Sequence, residues 1–169
     1  MGRWRPPQPK SSPYITEEGF RVLEKELEAI WIRRREVTKA LTAAAAEGDR
    51  SENAEYIYRK KELREIDRRV RYLQKRLPDL KIVPPREEQD ERIFFGAWVT
   101  LETDQGKEVT YRIVGPDEFD PARSSISLDS PLAKGLLKKT IDDEVTIRTE
   151  HGEVTYIVTE VNYMSHSVK

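Results

Sequence analysis

The sequence predicts an α+β protein with a helical N-terminal half and a strand-rich C-terminal half. Two observations support this class. Apolar residues recur at alternating steps of three and four along two segments, 20–44 and 56–77, which meet at Gly48. Beyond residue 93, short runs of β-branched and aromatic residues alternate with turn signals. No pattern repeats with the period of about 20 to 50 residues that marks solenoid proteins.

Composition limits the classes of protein that this chain can belong to. Its 169 residues suffice for one ordinary domain or two small ones, with 36% charged and 37% hydrophobic residues. The sequence has no apolar run near the roughly 18 residues of a membrane span. The N-terminal MGRWRPPQPKSSP lacks the apolar core of a secretory signal. Because cysteine is absent, disulfides and thiolate metal sites are excluded, and a cytoplasmic protein without a membrane partner is predicted.

The first predicted helix runs from about Thr16 to Glu47, where it would measure roughly 48 Å at 1.5 Å per residue. Its apolar seam contains one charged exception, Arg34. The seam residues are Phe20, Leu23, Leu27, Ile30, Arg34, Val37, Leu41 and Ala44. This heptad spacing predicts packing against a second helix.

The second predicted helix repeats the spacing and ends before Pro78. Its seam residues are Tyr56, Arg59, Leu63, Ile66, Val70, Leu73 and Leu77. Because the connection at Gly48 is short, the two helices are predicted to form an antiparallel hairpin.

Basic residues concentrate on the second helix. Residues 57–77 carry nine Lys or Arg and three acids, a local net charge of +6 in a chain of formal net charge −1. Five cations recur at steps of three or four on the side opposite the seam, and we call them the basic stripe: Lys61, Arg64, Arg68, Arg71 and Lys75. Such a stripe is typical of a surface that binds a phosphate backbone, and a solvated helix face without a ligand is the alternative.

The second half predicts a compact, mostly antiparallel sheet. Its β-type segments are 94–103, 107–115, 124–128, 143–149 and 153–163. Ser130 followed by Pro131 is a typical helix N-cap and first position, which predicts one short helix. The predicted division is a flexible basic tail at 1–13, the hairpin at 14–83 with its tip at about 47–53, a charge-rich linker at 84–92, and the sheet domain at 93–169.

Acidic residues concentrate at the predicted tip, in EGDRSENAEY at 47–56. Two interpretations stay open for Asp49 and Glu52. Their spacing fits a capping box at the start of the second helix. It also fits two carboxylates on one helical face that share a Mg²⁺ ion, which prefers oxygen ligands. Two carboxylates are an incomplete site for this ion, so a partner or phosphate oxygens would have to supply the rest.

Other catalytic chemistry has little support in the sequence. The two histidines, His151 and His166, lie in a predicted turn and in the C-terminal tail. The chain contains no GxxxxGK[ST], GxGxxG or GxSxG motif. We therefore expect no self-contained active site.

Several segments together resemble the bacterial transcript cleavage factors of the Gre family. They are GDRSENAEY at 48–56, KKELREIDRRVRYLQKRLPDLKIV at 60–83, FFGAWVTLE at 94–102, YRIVG at 111–115 and ISLDSPLAKGLLKK at 126–139. The sequences RSENAEY and LREIDRRVRYL are more similar to the GreB branch than to GreA. The resemblance covers about residues 14–163, and it implies a coiled-coil hairpin followed by an FKBP-like domain.

The resemblance implies a transcription elongation factor that is not itself an enzyme. Such a factor binds bacterial RNA polymerase, inserts its hairpin through the secondary channel and stimulates the polymerase's own cleavage of backtracked RNA. Asp49 and Glu52 would then hold the second Mg²⁺ of the polymerase active centre jointly with the polymerase, and position the attacking water. Gly48 would form the backbone turn. Asn53 and Glu55 would orient these acids or contact the polymerase, or Glu55 would only cap or solvate the helix.

The same resemblance assigns two further contact surfaces. The basic stripe would contact the 3′ segment of the nascent RNA. Asp129, Ser130 and Pro131 would dock on the coiled coil at the rim of the secondary channel, although Ser130 and Pro131 can also serve as a helix cap. A monomeric, cytoplasmic protein that also binds DNA completes these expectations.

Two positions depart from the family pattern, and two other functions stay open. Arg34 lies in the apolar seam, and Asp142 stands where a glycine is usual. One alternative function is a non-cleaving inhibitor that occupies the same polymerase channel. Another is a coiled-coil adaptor whose acids only cap the second helix. The Asp49-x-x-Glu52 pair favours the cleavage factor.

Overall fold

The computed structural model describes residues 9–48, 52–86 and 91–163. These residues form two compact units, one spanning Glu18–Leu80 and the other made of the described residues on either side of that segment. The first is helical and the second is built on a mainly antiparallel sheet with one short α-helix, so the predicted fold class is confirmed. None of the helices in the described ranges has the length and apolar character that crossing a bilayer requires.

The helical unit contains two long helices. Helix α1 is Glu17–Ala45 and helix α2 is Ala54–Arg76, followed by a 3₁₀ turn at Leu77–Asp79 that contains Pro78. The 29 residues of α1 correspond to a length of about 43 Å. A residue later in α1 binds a residue earlier in α2: Glu26 binds Arg69, whereas Arg33 binds Glu62. The helices are therefore antiparallel.

The apolar seam holds the helical unit together, as predicted. Every seam position of both helices is buried or half-buried. Val37, Ile66 and Val70 form the buried centre, with Leu27, Ile30 and Leu63 packed against it.

The two charged seam positions have partners across or along the helices. Arg34 donates from Nε to Asp67 Oδ1 at 2.7 Å, and Arg59 binds both Glu55 and Glu62. Each guanidinium lies partly exposed beside the apolar contacts, so its stem can cover the seam while its head reaches a carboxylate. Arg34 is thus accommodated without a break in α1.

The sheet unit contains seven strands in two sheets. Strands β1 (Tyr14–Ile15) and β2 (Lys81–Ile82) pair in parallel as a separate two-stranded sheet. The main sheet has the order β5-β4-β3-β7-β6 and contains β3 (Trp98–Thr103), β4 (Glu108–Val114), β5 (Ser125–Ser127), β6 (Glu144–Thr149) and β7 (Gly152–Asn162). Helix α3 (Pro131–Leu136) follows β5 and packs on the core. All five predicted strands of the second half are present.

One pair of strands in the main sheet is parallel. Strands β4 and β5 pair with Val114 opposite Ser127, whereas the other neighbours in this sheet are antiparallel. The carboxyl ends of β4 and β5 therefore lie at the same edge of the sheet. The core beneath includes Val99, Leu101 and Ile113, each 0% exposed.

The two-stranded sheet was not anticipated by the sequence. It ties residues 13–15 to residues 81–83 through hydrogen bonds from the Lys81 amide to the Pro13 carbonyl at 2.8 Å and from the Val83 amide to the Ile15 carbonyl at 2.9 Å. Residues 14–17 and 81–83 consequently belong to the sheet unit. The sequence instead predicts these residues within the hairpin, with bounds of 14–83. The predicted linker lies partly outside the described residues, at 87–90.

Asp142 keeps the backbone shape that a glycine would favour. Its φ is +71°, in the left-handed region, and its amide donates to the Val158 carbonyl at 2.8 Å. Aspartate tolerates this conformation better than most residues that carry a Cβ atom. The departure from the family pattern therefore leaves the turn intact.

Candidate functional site

The tip connects the end of α1 to the start of α2. Gly48 has a φ of +135°, which strongly favours glycine. Asp49 lies outside the described residues, as do Arg50 and Ser51. Glu52 lies in a turn, is exposed, and makes no hydrogen bond or ion pair with any described residue. Within residues 9–48, 52–86 and 91–163, no three acidic or histidine side chains converge to hold a metal ion.

Asn53 fastens the two helices at the tip. Its side-chain oxygen accepts a hydrogen bond from the Tyr56 amide at 3.1 Å, which makes it the N-cap of α2. Its side-chain nitrogen donates to the Ala44 carbonyl, near the end of α1, at 2.8 Å. One amide group thus satisfies orphan backbone groups at a helix start and a helix end.

The capping-box interpretation of Asp49 and Glu52 is wrong for α2. A cap at Asp49 requires the helix to begin at residue 50, whereas α2 begins at Ala54. Asn53 supplies the cap instead, because its short side chain reaches the amide three residues ahead. The start of α2 is therefore capped without Glu52, and Asp49 lies outside the described residues.

Glu55 lies in the first turn of α2 and is exposed. Its carboxylate accepts a hydrogen bond from Arg59 Nε at 2.8 Å, one turn further along. An acid at this position also interacts favourably with the helix dipole. These interactions give Glu55 a structural role within α2.

The basic stripe is exposed along α2. All five of its side chains are exposed, and none forms an ion pair with a described residue. Within the part of the chain that the structure describes, the one hydrogen bond that these side chains donate runs from Arg71 Nε to the Asp67 carbonyl at 3.3 Å. Ile57, 53% exposed, lies four residues before Lys61 on the same helical face. The stripe therefore presents to solvent a positive charge that no ion pair with a described residue compensates.

Other arginines of the hairpin are bound to carboxylates. Arg69 binds both oxygens of Glu26 at 2.6 and 2.9 Å, and Arg33 binds Glu62 at 2.6 and 2.9 Å. Burial would raise the pKa of Glu62, but hydrogen bonds from Arg33 and Arg59 outweigh it and hold the pKa below its ordinary value. The helix-to-helix pairs thus use some of the positive charge structurally and leave the stripe available for a ligand.

The predicted docking residues lie between β5 and α3. Ser130 is the N-cap of α3, since its Oγ accepts from the Ala133 amide at 3.2 Å, and Pro131 occupies the first helical position and is exposed. The capping role of this pair is therefore confirmed. Asp129 accepts hydrogen bonds from Ser12, from the backbone amide at 2.8 Å and from the hydroxyl.

Sequence patterns match both halves of the chain to one family. Residues 13–82 match the family described as transcription elongation factor, N-terminal, and residues 88–163 match the family described as transcription elongation factor, GreA/GreB, C-term. The chain belongs to the GreA/GreB family of transcription elongation factors. The resemblance noted in the sequence is thus confirmed, and membership supports the role of an elongation factor.

Curated relatives of this GreA/GreB-family chain match over nearly its whole length. It is 57% identical to the transcription elongation factor GreB of Yersinia pestis over 153 residues, which is 90% of each chain. It is 54% identical to GreB of Pseudomonas aeruginosa over 164 residues, 96% of this chain and 98% of the relative. The solved structure of the GreA factor homolog 1 (Gfh1) protein of Thermus thermophilus is 26% identical, with 88% of this chain and 97% of that one covered and a TM-score of 0.40.

Two pairs of residues in this family member were missed by sequence reasoning. Ser12 binds Asp129, and Thr16 binds Glu118. The partners are 117 and 102 residues apart in sequence, so no local period connects them. Ser12 and Thr16 stand four positions apart around Tyr14–Ile15, but this spacing does not point to either acid.

Proposed function

We propose that this elongation factor stimulates the endonucleolytic cleavage of backtracked nascent RNA by RNA polymerase and thereby rescues arrested complexes. Its hairpin enters the secondary channel and presents Asp49 and Glu52 at the polymerase active centre. The observation that best supports this role is the Asn53 cap, because α2 starts at Ala54 with Asn53 as its N-cap and therefore does not use the exposed Glu52. Family membership supplies the context of transcription elongation.

The chemistry of the tip suits a shared Mg²⁺ ion. Carboxylate oxygens are ligands that Mg²⁺ prefers, and the ion usually keeps several other positions for water or phosphate oxygens. The polymerase supplies the remaining ligands and performs the hydrolysis. A second ion, when bound, stabilises charge on the attacking and leaving oxygens of an in-line displacement. Glu52 is exposed and unbound within the described structure, so its carboxylate is free for such a contact.

The basic stripe binds the 3′ segment of the backtracked RNA. Its five cations span residues 61–75 of α2, a length of about 21 Å along the helix axis. Exposed lysines and arginines attract phosphates without regard to base sequence. This property suits a factor that must act wherever the polymerase stops.

The test follows RNA length in a backtracked elongation complex that is mixed with the purified chain. We expect rapid cleavage with the wild type and a loss of at least about tenfold in rate with Asp49→Asn or Glu52→Gln, because each variant removes one charged ligand. Polymerase binding should persist in both variants. Glu47→Gln is the matched control, since Glu47 is also exposed and lies beside Gly48.

Two outcomes would contradict the proposal. Unchanged cleavage in both tip variants would exclude the metal role of these acids. Binding of the wild type to polymerase without any cleavage would instead support the non-cleaving inhibitor of the secondary channel.

A further inference from the structure

Two residues that flank β1 each hold a carboxylate in the same way. The Ser12 amide donates to Asp129 Oδ2 at 2.8 Å, and the Ser12 hydroxyl donates to Oδ1. The Thr16 amide donates to Glu118 Oε2 at 2.7 Å, and its hydroxyl donates to Oε1. Each hydroxyl residue thus satisfies both oxygens of one acid. We call residues 12–16 the clasp.

The two carboxylates lie on neighbouring loops of the sheet unit. Glu118 follows the end of β4, and Asp129 follows the end of β5. Because these strands are parallel neighbours, both loops emerge at the same edge of the sheet. The Leu128 amide donates to the Val114 carbonyl at 2.7 Å, so the loop after β5 is bound to the end of β4.

The clasp is anchored by burial as well as by hydrogen bonds. Ile15, between the two hydroxyl residues, is 0% exposed, and Thr16 is 6% exposed. Glu118 also accepts from the Gly115 amide at 3.0 Å, so one carboxylate joins the clasp to the loop after β4. Hydrogen bonds to a carboxylate are stronger than neutral ones, and paired bonds fix direction as well as distance.

These contacts change the interpretation of Asp129. Both of its oxygens point to Ser12, and its amide donates to Ser127 Oγ at 3.1 Å. Directly after it, Ser130 caps α3, and Pro131 is exposed. The carboxylate is thus an internal fastener of the loop, and the exposed surface at Pro131 is what the loop presents outward.

We propose that Ser12 is a positioning residue for polymerase docking, and that Asp129 affects docking through Ser12 and not by direct contact with the polymerase. This inference rests on the proposed function, because it concerns the docking surface of that function. The clasp holds the loop at 127–131 in one conformation before the polymerase is met. Preorganisation of this kind lowers the entropy cost of binding.

A double-mutant cycle tests the inference. Affinity for core RNA polymerase is measured by titration for the wild type, Ser12→Ala, Asp129→Asn and the double variant. We expect Ser12→Ala to weaken affinity by about two- to tenfold, the range for one net hydrogen bond. The double variant should bind no more weakly than Asp129→Asn alone, because both changes break the same contact.

Matched variants separate positioning from loss of folding. Ser11→Ala changes the exposed neighbour and should bind like the wild type, and Ser12→Thr should retain affinity because it keeps the hydroxyl. In cleavage assays, Ser12→Ala should raise the concentration of protein that gives half-maximal rate and leave the maximal rate unchanged. Urea unfolding shows whether each variant is folded at the assay temperature.

The outcomes distinguish this inference from the proposed function. The inference would be overturned if the losses of polymerase affinity in Ser12→Ala and Asp129→Asn multiplied in the double variant. It would also be overturned if Ser12→Ala bound polymerase with normal affinity while Asp129→Asn bound it more weakly. A lowered maximal cleavage rate in Ser12→Ala would also overturn it, since the tip is then affected. A wild type that does not bind polymerase would refute the proposed function and the inference together.

Discussion

The missing side chain of Gly115 makes room for the backbone of the clasp. A Cβ atom at Gly115 would lie 2.0 Å from the carbonyl oxygen of Tyr14 and 3.1 Å from its carbonyl carbon. The φ of Gly115 is −69°, so backbone conformation alone does not require glycine there. Close approach of β1 requires it, because backbone atoms cannot move aside as a flexible side chain can.

Replacement of this glycine should detach β1 from the sheet unit. We expect Gly115→Ala to lower the free energy of unfolding by about 1–3 kcal/mol, the usual cost of overpacking. Hydrogen exchange should show less protection at the amides of Lys81 and Val83, which donate to the carbonyls of Pro13 and Ile15. Wild-type stability together with unchanged protection at these two amides would contradict the close approach.

The elements of the hairpin are joined by an apolar seam, by ion pairs across it and by a cap at its end. The seam provides packing at Val37, Ile66 and Val70. The ion pairs fix which residues face each other, since Arg33 and Glu62 meet only in this antiparallel register. Asn53 closes the tip. Among the described residues, the hairpin is therefore held by contacts that do not involve Glu52.

Mutations of Asn53 can separate the contributions of its two hydrogen bonds to stability. Asn53→Ala removes both, and we expect the free energy of unfolding to fall by about 1–2 kcal/mol. Asn53→Asp keeps the acceptor for the Tyr56 amide and loses the donor to the Ala44 carbonyl, so its stability should lie between the other two. Urea unfolding measures the difference. Equal stability of Asn53→Ala and the wild type would exclude the cap.

The stability of the hairpin should depend on pH through Glu62. Its pKa is lower in the folded chain than its ordinary value of 4.5, so its contribution is complete above that value and is lost as the pH falls through the folded pKa. Glu62→Gln should therefore be less stable than the wild type at pH near 7 and approach it in acid. Glu65→Gln, exposed and unbound among the described residues, is the control.

Urea unfolding of these variants across a pH series provides the measurement. A constant difference between Glu62→Gln and the wild type at every pH would show that the carboxylate does not contribute through its charge.

Most of the fold could be predicted because its patterns repeat. The seam positions recur over several helical turns, and the five strands are separated by turn signals. The prediction of each element therefore rests on many residues. Strands β1 and β2 have two residues each, too few to show any period. Their pairing depends on residues far away in sequence, which a local pattern does not contain.

The candidate site was predicted in part for similar reasons. Exposure of the basic stripe followed from its position opposite the seam. The choice of Asn53 as the cap did not follow, because Asp49 and Asn53 are both favourable cap residues four positions apart. The tertiary contact of Asn53 with Ala44 supports the later start. Binding of Asp129 by Ser12 had no signal in either segment alone.

At the scale of the whole molecule, charge is divided unevenly along the chain. Residues 57–77 carry a net charge of +6, whereas residues 93–169 carry eight basic and thirteen acidic residues, a net charge of −5. A nucleic acid is therefore attracted to one segment and repelled by the other. We therefore expect phosphate binding to concentrate on α2.

The binding of single-stranded RNA should consequently weaken with salt. Each phosphate contact contributes a slope of about −0.7 to the logarithm of affinity against the logarithm of salt concentration. We expect the double variant Arg64→Gln with Arg68→Gln to reduce the slope by about 1.4. Lys39→Gln, an exposed cation of α1, is the control. A slope unchanged by the double variant would show that the stripe does not contact phosphate.

The clasp also has a consequence for the order of events during synthesis. Thr16 leaves the ribosome 102 residues before Glu118, and Ser12 leaves 117 residues before Asp129. At about 5–20 residues per second, the first segment waits about 5–20 seconds for its partners, while the hairpin has its own contacts much earlier. We expect closure at Thr16 to follow formation of the hairpin, visible in pulsed hydrogen exchange as an amide protected after those of α2.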